Sequence, residues 1–241
     1  MSLEQQPQPS SIGEVLEYLG RVPERGQPMM GLLQRVTDLV KTVMPGNSEA
    51  SVTLLVQQCP STVVATGQLA VDLDEGQYER RHGPCLHAAA TREIAEIRNA
   101  RTETRWPEHA RRAAEHGSLS SLSVPLAIED PQVAGALNIY ARQPNAFDED
   151  SRSVATRFAP YAAVAAGNLS LYQRALKRAD SLEAALTSRA VIEQAKGILM
   201  QRHKVTADEA FHILAWASIR THIKVRYLAE NLIHTGELRR R

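Results

Sequence analysis

At Asp148 the strand-like punctuation of this sequence stops, and nothing from there to Arg202 forces a helix to end. Upstream, short runs rich in Val, Ile, Leu and Thr are separated by Pro, Gly, Asn and Asp, the pattern of strands and turns. Downstream, apolar residues recur only at three- and four-residue spacing, the helical period. A chain divided in this way folds as a strand-containing part followed by an all-helical one. Asp148-Glu149-Asp150 puts negative charge where a helix N-terminus favours it. Val154, Phe158, Tyr161, Ala162, Ala165 and Leu169 carry the helix on, with Pro160 expected to kink it and Gly167-Asn168 as its candidate break. Leu169, Tyr172, Leu176, Ala179, Leu182 and Leu186 then continue as a short coiled-coil seam would.

The front part reads as α+β with a largely antiparallel sheet. Helical spacing covers Ile12–Leu19 and Met30–Val43, and Pro45-Gly46-Asn47 ends the second run. Strands are expected at Ser51–Val56, Thr62–Thr66, Ile94–Ile97, Leu122–Ile128 and Val133–Tyr140, the last two joined through Glu129–Gln132. Two helices are expected between them, at Pro84–Thr91 and Trp106–His116. Past Arg202, Thr206 and Glu209 form a capping box. The helix it starts carries Ala210, Phe211, Leu214, Ala217 and Ser218 on one face. Thr221 is placed to cap a last helix with Val225, Leu228, Ala229, Leu232 and Ile233 inward, which Gly236 ends.

Net charge is only +1, but residues 174–241 hold 13 Lys and Arg against 7 Asp and Glu, while residues 1–173 hold 15 against 20. An acidic front and a basic rear point to different partners, the rear one anionic. The basic end Leu238–Arg241 reads as a solvated tail. Two cysteines without a CxxC pair, Cys59 and Cys85, fit a reducing cytoplasm. No apolar run is long enough to span a bilayer. The polar, proline-rich start MSLEQQPQPSS is not a signal peptide and is expected to be disordered.

Two stretches resemble known families. Ser188-Arg189-Ala190-Val191-Ile192-Glu193-Gln194-Ala195-Lys196-Gly197-Ile198-Leu199-Met200, with Ala210-Phe211 and Ser218, is similar to an ANTAR domain, over about Arg178 to Leu238. His82-Gly83-Pro84-Cys85-Leu86, Arg105-Trp106-Pro107, Ser123-Val124-Pro125-Leu126, Gly135-Ala136-Leu137-Asn138 and Phe147-Asp148 resemble a GAF domain of the kind paired with ANTAR in actinobacteria. The implied organisation is a disordered segment 1–11, a GAF-like sensor 12–168, a helical connector 169–187 and a three-helix ANTAR unit 188–241. The resemblance implies an RNA-binding regulator of transcription antitermination, engaging paired hairpins as a homodimer. A small-molecule effector of the GAF domain is an option the family allows, and no cofactor is required. The chain departs from the ANTAR pattern at Ala215-Trp216-Ala217-Ser218, which lacks the basic residues common there, and at Tyr227, where an acidic residue is common.

Lys196-Gly197 lies inside a helix, where glycine costs roughly 1 kcal/mol relative to alanine. The expectation is that Gly197 admits a neighbouring helix, so that Gly197→Leu would loosen the unit, while Lys196, about a third of a turn away, faces RNA. With the resemblance, RNA contact is assigned to Lys196, Arg202, Lys204, Ser218, Thr221, Lys224 and Arg226. His203, Arg220 and His222 lie near the same helix joints. Trp216 is off the main stripe, and both base stacking and burial at an interface suit it, burial being the simpler. His82, Cys85 and His87 are three candidate ligands without a fourth, so no metal is assigned. Cys85 follows Gly83-Pro84 into a helix, which can activate a thiol, but a buried inert cysteine is the simpler reading. There is no phosphate loop, nucleophile elbow or metalloprotease helix, so no catalytic residue is assigned. The alternatives are a helical protein-docking unit and a GAF-type enzyme reducing free methionine sulfoxide through Cys59 and Cys85.

Overall fold

A computed structural model describes residues 29–238 of the chain. The expected helix Ile12–Leu19, the segment 1–11 and tail residues 239–241 lie outside the described residues. The order is α1 (Met29–Val43), β1 (Glu49–Val56), β2 (Cys59–Ala65), α2 (Gln68–Arg80), α3 (Pro84–Thr91), β3 (Ala95–Ile97), α4 (Pro107–Glu115), β4 (Ser120–Pro125), β5 (Val133–Ala141), α5 (Glu149–His203), α6 (Ala207–Thr221) and α7 (Val225–Thr235). The chain divides after Tyr172 into two compact units, and α5 contributes residues to both. Among the described residues no helix is long and apolar enough to cross a membrane.

The first unit is built on one antiparallel sheet of order β2-β1-β5-β4-β3. Alternation along the strands gives the sheet two unlike faces. Val52 and Leu54 of β1, Leu122 and Val124 of β4, and Leu137 and Ile139 of β5 pack with Leu33, Val36 and Val40 of α1 and with Ala155, Phe158, Ala162 and Ala166 of α5. Each large side chain buried there contributes roughly 2 kcal/mol. The other face carries Ser51 and Thr53, Ser121 and Ser123, and Asn138 and Tyr140, in register across β1, β4 and β5. Residues of α2, α3 and α4 join a smaller, alanine-rich core beside it.

Helix α2 escapes the sequence reading, and its inner face explains why. It buries Leu69, Ala70 and Leu73 together with Asp74, Gly76 and Gln77, so polar residues interrupt the apolar stripe. Helix α5 begins as expected: Asp148 accepts from the Ser151 backbone at 2.8 Å and from its hydroxyl at 2.6 Å. The helix runs on through Pro160, which sits on the exposed side, where water can bond the carbonyl a proline leaves unpaired. Gly167-Asn168 is not a break. A Cβ on Gly167 would lie 3.3 Å from Ile128 Cγ2, so this glycine gives room where the helix passes Ile128.

In the second unit, α6, α7 and the end of α5 enclose Ala195, Leu199, Ala210, Leu214, Ala229 and Leu232. The capping box is present: Thr206 N donates to Glu209 Oε2 at 2.8 Å and Glu209 N to Thr206 Oγ1 at 3.3 Å. Gly236 ends α7 in the left-handed region at φ 73°. Thr221 does not cap α7 as expected. It is the last residue of α6, and Lys224 holds the cap position of α7.

Candidate nucleic-acid interface and a buried polar centre

Five cations of the second unit, Arg202, Lys204, Arg220, Lys224 and Arg226, lie at two joints, α5–α6 and α6–α7. Both joints turn through a basic residue in the left-handed region, Lys204 at φ 54° and His222 at φ 55°. Most of the assigned side chains already have a partner. Arg202 Nη1 donates to the Gly236 carbonyl at 2.5 Å, fastening the end of α7 to α5. Lys204 Nζ reaches Gln201 Oε1 at 3.3 Å, and Arg226 Nε reaches Glu230 at 2.8 Å. Ser218 Oγ donates to the Ile223 carbonyl at 2.6 Å and Thr221 Oγ1 to the Ala217 carbonyl at 2.8 Å, so both hydroxyls serve the α6–α7 joint. Lys224 is exposed and has no side-chain partner among the described residues.

At Lys196-Gly197 the glycine does not make the packing contact expected of it. The Lys196 side chain is only 14% exposed, and its ammonium pairs with Glu193 at 2.9 Å. Gly197 is the exposed one, and a Cβ built on it would meet nothing within 4 Å. No neighbouring helix needs this glycine. It lies instead in an open groove with Gln194, Ile198, Gln201, Arg202 and Ile233. Gln194 and Gln201, which sequence reasoning did not single out, flank it at three and four residues on the same helix face. A helix position that keeps glycine at a cost to stability, with space above it, suits close approach of another molecule's backbone.

The first unit holds a polar centre that sequence reasoning missed. Asp74 on α2 is fully buried. Its Oδ1 accepts from the Tyr140 hydroxyl at 2.6 Å and from Asn138 Nδ2 at 3.2 Å. Its Oδ2 accepts from the Thr62 hydroxyl at 2.9 Å. The Tyr78 hydroxyl lies 2.8 Å from both Thr53 and Thr62, and Gln77 Nε2 donates to Tyr140 at 3.1 Å. Burial pushes the Asp74 carboxyl up to about 6, against the lowering effect of these donors. Burial, with the Asp74 charge nearby, also pushes the Tyr78, Tyr140 and Cys85 groups up. Cys85 is therefore held as a thiol, the opposite of activation by its helix N-terminus. Ser121 Oγ, Ser123 Oγ and Asn138 Oδ1 on the same face are buried without a hydrogen-bond partner among the described residues. The available signal was alternation: Ser51 with Thr53, Ser121 with Ser123, and Asn138 with Tyr140 put polar groups on one side of three adjacent strands.

Cys59 is exposed and Cys85 buried, both free. Among the described residues no group of His, Cys, Asp and Glu could hold a metal ion. His87 instead meets Trp106 edge-on, ring centroids 5.5 Å apart.

Comparison with known proteins places both units. Residues 27–166 match the GAF domain and residues 180–233 the ANTAR domain. No curated protein matches the chain. Among solved structures, the chain is similar to the reduced form of fRMsr of Staphylococcus aureus, at 17% identity and a TM-score of 0.51 over 65% of this chain and 96% of that one. It is also similar to the phycoerythrobilin-bound GAF domain of a cyanobacterial phytochrome, at 11% identity and a TM-score of 0.52 over 68% of this chain and 98% of that one. At such identities the likeness is one of fold.

Proposed function

Because the chain belongs to the GAF family and carries an ANTAR domain in its second unit, we propose that it regulates transcription by antitermination, its second unit holding paired hairpins of nascent RNA. Binding one RNA fold withholds that segment from a competing terminator hairpin, which requires differential affinity and no covalent chemistry. The observation that carries this reading is the open groove over Gly197. A phosphate backbone can come close there, with Gln194 and Gln201 able to bond sugar or base. Lys224 supplies a free cation, and Lys204 and Arg226 are exchangeable ones, since their present partners are exposed or half-exposed. The protein would act in the cytoplasm, where nascent RNA is found.

The test is binding of the full chain to a tandem-hairpin RNA at 50 and 200 mM salt. For about four neutralised phosphates the affinity falls roughly a hundredfold between the two. Lys224→Ala is expected to lower the slope of log affinity against log salt by about one. Tight binding indifferent to salt would favour a protein-docking role for the helices instead.

Two hairpins call for two RNA-binding units, and α5 offers a face for a second copy. Leu169 belongs to the first core and not to the expected seam. Between Val164 and Leu186 the large exposed apolar residues of α5 are Val164, Leu171, Tyr172, Leu176, Leu182 and Leu186. Val164, Ala175 and Leu186 recur every 11 residues, as do Leu171 and Leu182, a period that suits nearly straight or right-handed packing better than a left-handed seam. Leu182→Glu changes an exposed position, so it should leave each chain folded. It is expected to convert a sedimenting dimer to monomer and to abolish the preference for tandem over single hairpins. The GAF unit would then bias the pair, with Asn138 Oδ1, Ser121 Oγ and Ser123 Oγ as the unpaired atoms that a small polar effector would engage.

A further inference from the structure

Trp216 and Arg220 form a surface feature that packing does not absorb. The inner face of α6 carries Ala210 and Leu214, buried in the core of the second unit. Trp216 lies on the outer face, 61% exposed, with Ile219 three residues on at 72%. His212, Ile213 and Ala215 complete a shallow depression around them. The Arg220 guanidinium lies over the indole, 4.5 Å from the ring centroid. A helix that is apolar outside as well as inside has its outer face covered when it works.

We infer that this face is a stacking platform for an unpaired nucleobase of the bound RNA, which rests on the RNA-binding reading above. Loop bases splayed out of a hairpin are held by stacking on aromatic rings, and indole has the largest ring of the side chains. Arg220 covers one face of the indole and places a positive charge beside the base that would stack on the other. An apolar protein partner would desolvate that charge without a counter-charge, whereas the strand carrying a stacked base brings phosphate with it. His222 and Lys224, both exposed, follow within four residues and continue the positive potential along the same joint.

The experiment uses the full chain and two tandem-hairpin RNAs that are identical except that the loop nucleotides of one lack their bases. The chain has 2 Trp, and Trp106 is only 5% exposed, so quenching on binding reports Trp216. The wild type is expected to prefer the base-bearing RNA roughly tenfold and to be quenched by it. Trp216→Ala should lose that preference while keeping its melting temperature, its affinity for the abasic RNA and its salt slope. Trp216→Tyr should restore most of it. If Trp216→Ala binds base-bearing RNA as the wild type does, the platform is overturned and the RNA reading stands. If Trp216→Ala turns a dimer into monomers, the face is a self-association surface and the platform is overturned. If the wild type binds neither RNA, the platform and the reading beneath it both fall.

Discussion

Replacing Asp74 by alanine is expected to destabilise the first unit by about 3 kcal/mol, because two buried donors and one half-buried donor lose a shared acceptor together. These are the Tyr140 hydroxyl, Asn138 Nδ2 and the Thr62 hydroxyl. The conservative variant Asp74→Asn asks a sharper question. Asp74 has a folded pKa of about 6 against 3.8. Its stabilising contribution is therefore full below pH 3.8 and lost as pH rises through 6, a difference of about 3 kcal/mol. His109, buried on α4, has the opposite sign. Desolvation, with Arg112 and Arg80 nearby, lowers it from 6.5 to about 4. Its contribution is present above pH 6.5 and lost as pH falls through 4, again about 3 kcal/mol. Over the shared window the two nearly cancel in the wild type. Urea unfolding followed by Trp106 between pH 4 and 7 should show Asp74→Asn losing stability towards acid relative to the wild type, and His109→Asn gaining it. Variant and wild-type profiles that run parallel would show that neither group is titrating as its burial requires.

The second large effect is at Gly197. Since a Cβ there meets nothing, Gly197→Leu is expected to leave the second unit folded and to stabilise it by up to about 1 kcal/mol, the helix penalty of glycine recovered. RNA affinity is expected to fall at least tenfold, because the leucine fills the groove beside Gln194 and Gln201. Gly197→Ala should show the same stabilisation with a smaller loss, in proportion to the volume added. A thermal melt and an RNA titration on each variant decide the matter. Destabilisation by either substitution would mean that the glycine serves packing after all. Unchanged RNA affinity in a stabilised Gly197→Leu would take the RNA surface elsewhere on the unit.

Much of this chain was decided locally and was legible as such. The strand runs, the Asp148 cap, the Thr206–Glu209 box and the Gly236 stop depend on neighbours within a few residues, so the sequence by itself determined two units, one with a sheet and one without. The spacing also announced the length of α5, because no residue in it breaks a helix outright. What remained undetermined depended on contacts between residues distant in sequence. Helix α2 hid because its inner face is polar, which is tolerable only when Thr62, Asn138 and Tyr140, drawn from two strands, meet Asp74. The two helical glycines look alike in sequence, yet Gly167 faces Ile128 and Gly197 faces open space. Lys196 is the covered residue and Gly197 the open one for the same reason: periodicity states that adjacent residues point apart, and only the placement of the other helices decides which of them is covered. Local propensity and period are properties of the chain, while space, desolvation and hydrogen-bond partners across the core exist only once the tertiary structure has brought distant residues together.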